Sequence, residues 1–142
     1  MKVVKITVDN EISIVDVSEQ EGLIGALQKE LDGFMEVVRA YGLRTINKLL
    51  SEETGHEERL VMLVDEDGRC KFKKINVVGS ILYHGNIAGD ILFIKEAYIE
   101  GRGYDLAPLT EEEATEAYRL FKYLFNNLKD NMEVKDNGTD GI

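Results

Sequence analysis

Ile91, Leu92, Phe93 and Ile94 follow one another without a polar break inside the segment DILFIKE, Asp90 to Glu96. A strand with one face in water alternates apolar and polar side chains, so an unbroken run has no side to offer the solvent. The segment therefore predicts a strand in the middle of a sheet. Downstream, Thr110 precedes Glu111, Glu112 and Glu113 and then Ala114, Ala117, Tyr118, Phe121, Leu124, Phe125 and Leu128. A Thr at the cap with Glu three residues on is a capping box, acids in the first turn suit the helix dipole, and the apolar spacing is helical. This helix, 110–128, must pack against the sheet.

The rest of the chain reads as short elements. Val4, Ile6 and Val8 alternate with Lys5 and Thr7, and Ile12 to Val17 continues after an Asp9-Asn10 turn, which predicts a hairpin. Ser18 with Glu21 reads as a capping box before a helix carrying Leu23, Ile24, Leu27 and Leu31 and ended by Gly33. Phe34 to Tyr41 predicts a strand, with a helix starting near Asp32 as the competing reading, Leu43 to Gly55 a helix, His56 to Arg59 a charged link and Leu60 to Val64 a strand. After the turn Asp65 to Gly68, Arg69 to Ile75 reads as a strand alternating Cys70 and Phe72 with Lys71 and Lys73. Asn76 to Tyr83 reads as a short helix or a crossover, and Gly101 to Leu109 as a loop with the only proline, Pro108. The expected fold class is α+β, a mixed or mainly antiparallel sheet of about five strands covered by one or two helices, 110–128 and 19–31. Residues 1–128 read as one domain and 129–142 as a polar, flexible tail.

Charge and cysteine content narrow the function classes. The formal net charge is -10, from 27 acids against 17 bases. Such a surface repels nucleic-acid phosphate as a whole and suits a basic partner, including by mimicry of nucleic acid. The crowding of Lys71, Lys73 and Lys74 reads as a solvated strand edge, so direct nucleic-acid binding is not expected. Cys70 is the only cysteine, no apolar run reaches the ~18 residues of a membrane span, and the N-terminal residues alternate instead of forming a signal pattern. These features predict a cytoplasmic protein without a membrane partner.

Four patches carry a family resemblance: GFMEVVR at 33–39, VDEDGR at 64–69, INVVGSILYHGNIAGDILFI at 75–94 and YDLAPLTEEE at 104–113. In this order they resemble the uncharacterised DUF3846 family of bacteria, phages and plasmids. The matching positions are Glu36, Gly68, Asn76, Gly89, Asp105, Leu109 and Thr110. The resemblance supplies no reaction. It implies a compact accessory domain in a mobile-element or phage setting.

Catalytic and metal motifs are absent from the pattern. His56, His84 and Cys70 lie in separate segments, with no HxxxH, CxxC or HExxH spacing and no Gly-x-Ser-x-Gly elbow. No catalytic residue, metal ligand or cofactor is predicted. Cys70 beside Phe72 reads as a small buried residue. An enzyme would need His84 with a carboxylate such as Asp90 or Asp105.

Phosphate binding has more to work with. The run His84 to Gly89 offers flexible backbone amides, and Gly101-Arg102-Gly103-Tyr104 places a guanidinium between two glycines beside an aromatic ring. Arginine can grip phosphate bidentately and tyrosine can stack on a base. The candidate ligand-binding residues are His84, Asn86, Arg102, Tyr104 and Asp105.

Acidic residues concentrate at 52–58 and at 100–142, where ten acids stand against five bases. The leading expectation is a non-enzymatic acidic interaction protein of a mobile element. It would bind a host protein and inhibit a host defence or nucleic-acid-handling protein. The alternative is a protein that binds or sequesters a small nucleotide or other phosphorylated ligand. A homodimer is compatible with a domain this small.

Overall fold

The computed structural model describes residues 1–20, 22–55 and 59–138, with 127–138 as helical backbone only. The elements are β1 (Lys2–Ile6), β2 (Ile12–Asp16), α1 (Leu23–Leu31), β3 (Met35–Val38), α2 (Leu43–Thr54), β4 (Arg59–Asp65), α3 (Val77–Tyr83), β5 (Ile91–Ile99), β6 (Gly103–Ala107) and α4 (Glu111–Gly138). The class is α+β, with a six-stranded sheet in the order β2-β1-β5-β4-β3 and β6 joined to β5. Every pairing is antiparallel.

β5 is central, as its apolar run requires. Its first half pairs with β1, from Val4 opposite Phe93 to Ile6 opposite Ile91. Its second half pairs with β6, from Lys95 opposite Ala107 to Ile99 opposite Gly103. β4 holds the other edge, with Met62 opposite Phe93. β1 and β6 therefore follow one another along a single edge of β5, linked where Lys2 bridges Leu109.

Both faces of the sheet are covered, and the alternation along β4 and β5 divides the core in two. Leu60, Met62, Ile91 and Phe93 point to the side of α2, α3 and α4, where Phe121 packs on Phe93 with ring centroids 4.4 Å apart. Val61, Leu63, Leu92 and Ile94 point the other way, onto Ala26, Leu27 and Leu31 of α1. Burying one such side chain contributes about 1.5–3 kcal/mol. This two-sided cover accounts for the uninterrupted run at 91–94.

Local capping follows the sequence in some places and departs from it in others. The Glu113 amide donates to Thr110 Oγ1 at 3.1 Å, and the Thr110 amide to Glu113 Oε1 at 2.8 Å, which completes the capping box of α4. The helix continues to Gly138, beyond the Leu128 end expected, so helical backbone covers part of the stretch read as a tail. α1 begins after Gly22, and Ser18 Oγ accepts from the Gln20 amide instead of capping it. Glu21, the partner expected for Ser18, and His56 lie outside the described residues.

Two segment readings are corrected. Arg69 to Ile75 is not a strand but a succession of turns, with only Ile75 bridging Ala88. Phe72 there has φ 58 and is 94% exposed, and Cys70 is exposed rather than buried. The alternating lysines serve a different end. Lys71 and Lys73 Nζ donate to the buried Asp65 carboxylate at 2.9 and 2.7 Å, and both reach the Asp32 carbonyl at the end of α1. Gly101 to Leu109 is not a loop throughout, because Gly101 and Gly103 take positive φ to turn the chain into β6.

Candidate functional site

Among the described residues, three surfaces gather side chains suited to recognition. The first lies at the start of β5. Asn76 caps α3 through its Oδ1, which accepts from the Gly79 amide at 2.9 Å, while its Nδ2 donates to the Ile6 and Gly89 carbonyls. α3 ends at His84 in the left-handed conformation, and the His84 ring stacks on Tyr41 with centroids 6.1 Å apart. Asn86, Tyr83, Glu36, Glu66 and Arg69 line a cleft of about 190 Å³ beside Asp65. The Asp65 carboxyl is subject to burial, which alone would raise its pKa. Hydrogen bonds from Lys73, Lys71 and the Asp67 amide outweigh that and hold it at about 2.

The second surface is the far end of the sheet on the α1 side. α1 has nine residues and β5 has nine. At roughly 1.5 Å per helical residue and roughly 3.3 Å per strand residue, the helix covers only part of the strand. Beyond it, Tyr98 and Tyr104 stand directly opposite across β5 and β6, 67% and 60% exposed, with ring centroids 5.7 Å apart at 72°. Arg59 lies over the Tyr104 ring at 5.1 Å. The same face carries the buried Glu96, which accepts from the Arg39 guanidinium through both carboxylate oxygens and lies 3.8 Å from Arg59 Nε. This hydrogen bonding raises the Arg39 pKa.

The third surface is the groove between α2 and α4. Glu53, Glu116, Arg119, Leu120, Lys122 and Tyr123 line a cleft of about 460 Å³. Tyr123 is 83% exposed. Glu112 shares the Glu116 face of α4, four residues earlier. The cations here are engaged, Arg119 with Glu116 at 3.1 Å and Lys122 over the Tyr118 ring at 5.7 Å.

The sequence candidates do not converge. His84 and Asn86 precede β5, whereas Arg102, Tyr104 and Asp105 follow it, at opposite ends of a nine-residue strand. Tyr104 and Asp105 also point to opposite faces of the sheet, since neighbours in a strand alternate. Arg102 is exposed in the β5–β6 turn. The carboxylates considered for His84 are directed elsewhere. Asp90 Oδ1 accepts from the Val8 amide at 3.0 Å, and Asp105 Oδ1 from the Leu106 amide at 2.8 Å. Among the described residues, no group of three or more His, Cys, Asp or Glu side chains is gathered to hold a metal ion. No described helix is long and apolar enough to cross a membrane.

Sequence reasoning missed the partnership of Tyr98 and Arg59 with Tyr104. Its only linear signal is the spacing of two tyrosines around the Gly101–Gly103 turn, which places them opposite one another once a hairpin is assumed.

No family model and no curated protein matches the sequence. Among solved structures, the fold is similar to the crystal structure of the small RNA methyltransferase HEN1, with a TM-score of 0.50 and 14% identity. The similarity covers 82% of this chain and 16% of that one, so this chain spans a small part of that protein's length, and the likeness is one of fold alone.

Proposed function

We propose that the protein acts by binding and not by catalysis, docking the exposed glutamates that flank the groove between α2 and α4 onto a basic surface of a partner protein. The observation that carries this reading is the distribution of ion pairs. Lys2, Lys5, Arg39, Lys71, Lys73, Lys74 and Lys95 are each paired with carboxylates of this chain. Glu52 and Glu53 at the end of α2, and Glu111 and Glu112 at the start of α4, are exposed and enter no ion pair among the described residues. These acids contribute to the net charge of -10. Tyr123 supplies an exposed aromatic anchor in the same groove, a residue type enriched at binding hot spots.

The resemblance to a family of phages and plasmids supports a mobile-element setting. There the partner is a host protein whose basic surface normally meets nucleic acid, and docking inhibits it. Affinity for such a surface rests on charge complementarity and weakens with salt. The test is capture of host proteins on the immobilised wild-type chain and on a Glu53→Lys, Glu112→Lys, Glu116→Lys variant. A partner held at low salt by the wild type and lost by the variant is expected. Capture of nothing from host extract, or equal capture by both forms, refutes the reading.

A further inference from the structure

The open end of the sheet on the α1 side carries a different chemistry, and we infer that it binds a single nucleotide. Its base would stack on Tyr98, and its phosphate would lie against Arg59. Tyr98 and Tyr104 are mostly exposed, yet each is fixed by its place in a paired strand and by the other ring. Aromatic rings presented on a sheet face are a sequence-tolerant platform for nucleobases, since every base has a flat π face. Arg59 lies over Tyr104, which leaves Tyr98 as the ring with room for a base.

Charge complementarity selects the occupant. Two guanidinium groups share one carboxylate at this end of the sheet. Both Glu96 oxygens accept from Arg39, and Arg59 stands off at 3.8 Å. The cluster of Arg39, Arg59 and Glu96 therefore keeps one positive charge in excess, centred on Arg59, in a chain whose net charge is -10. A guanidinium beside an aromatic platform suits a phosphate attached to a base. The acidity of the chain as a whole opposes a long polyanion, which favours one base with few phosphates over an extended strand. This site lies on the face of the sheet opposite α2 and α4, so it is independent of the docking groove.

The experiment is an amide NMR titration of the full chain with AMP, ADP, adenosine, inorganic phosphate and a pentanucleotide. AMP and ADP are expected to shift the Tyr98, Tyr104 and Arg59 signals, with adenosine and phosphate each binding more weakly. Tyr98→Ala is expected to weaken AMP binding about tenfold or more, while Tyr98→Phe retains it. Arg59→Gln is expected to remove the preference for ADP over adenosine. The Glu53, Glu112 and Glu116 lysine variant should bind AMP at least as well as the wild type, which separates this site from the groove. A pentanucleotide binding no tighter than AMP supports a free nucleotide as the ligand. One binding much tighter overturns that choice in favour of a strand. Spectra unchanged by AMP and ADP up to about 5 mM, or an affinity untouched by Tyr98→Ala, overturn the proposal.

Discussion

A Cβ placed on Gly33 would overlap the carboxyl group of Asp65. The bare backbone at 33 lets the last turn of α1 close against a buried carboxylate that accepts from Lys71 and the Asp67 amide and pairs with Lys73. The Gly33 amide donates to the Gln28 carbonyl at 3.1 Å to finish that turn. Asp65 in turn holds Lys71 and Lys73, whose ammonium groups also reach the carbonyl of Asp32. Gly33→Ala must displace either the helix end or the carboxylate. It is expected to cost about 1–3 kcal/mol, the usual range for overpacking, measured by urea unfolding. An unchanged midpoint would show that the contact can relax freely.

The same cluster sets an acid limit on stability. The Asp65 carboxyl titrates at about 2 in the fold, against 3.8 for an unperturbed aspartate. The folded state thus binds this proton less tightly than the unfolded chain does. Its stabilisation is fully present above roughly pH 4 and is lost as the pH falls through about 2, amounting to roughly 2 kcal/mol. Unfolding measured between neutral pH and about pH 2 should show this loss in the wild type and a shallower dependence in Asp65→Asn. Equal slopes for the two proteins would assign the acid sensitivity elsewhere.

Asn76 is fully buried and joins three segments: α3 through the Gly79 amide, β1 through the Ile6 carbonyl and the approach to β5 through the Gly89 carbonyl. Asn76→Ala removes the cap and leaves buried polar groups without this partner. The expected loss is about 2–4 kcal/mol by denaturant unfolding. Asn76→Asp should also destabilise, because a carboxylate oxygen would face two carbonyl oxygens where an amide now donates.

Thr110→Ala removes one half of the α4 capping box and is expected to cost about 1 kcal/mol. Glu113→Gln keeps a side chain able to accept from the Thr110 amide but loses the ion pair to Lys95, found at 2.9 Å with both side chains largely buried. Thermal unfolding of the two variants separates the cap from the charge. Equal melting temperatures for Thr110→Ala and the wild type would remove the capping argument.

Phe72 occupies the left-handed region at φ 58 with its ring almost wholly in solvent. Its backbone strain is therefore not offset by packing. Asn tolerates this conformation better, so Phe72→Asn is expected to raise stability by up to about 1 kcal/mol. A clear loss of stability on that substitution would mean that the ring supports the turn.

The features legible in the linear chain are those written in local periodicity. Ile91 to Ile94 declared a buried central strand, because four successive apolar residues cannot face water on either side. Thr110 and Glu113 declared a helix start, because the capping box spans only three residues. The hairpin of β1 and β2 and the class of the fold were readable for the same reason. The segment at Lys71 and Lys73 was not, since its alternation imitates a strand while the lysines answer to Asp65 and to carbonyls at the end of α1, some forty residues away. β6 was hidden by its glycines and Pro108, and it forms because β1 leaves the second half of β5 without a neighbour on that edge. Nor could spacing bring Arg39 and Arg59 to Glu96, or Tyr98 beside Tyr104 and Arg59. Those groupings depend on strand order and register, and they arise only when segments far apart in the chain pay their ordering entropy together.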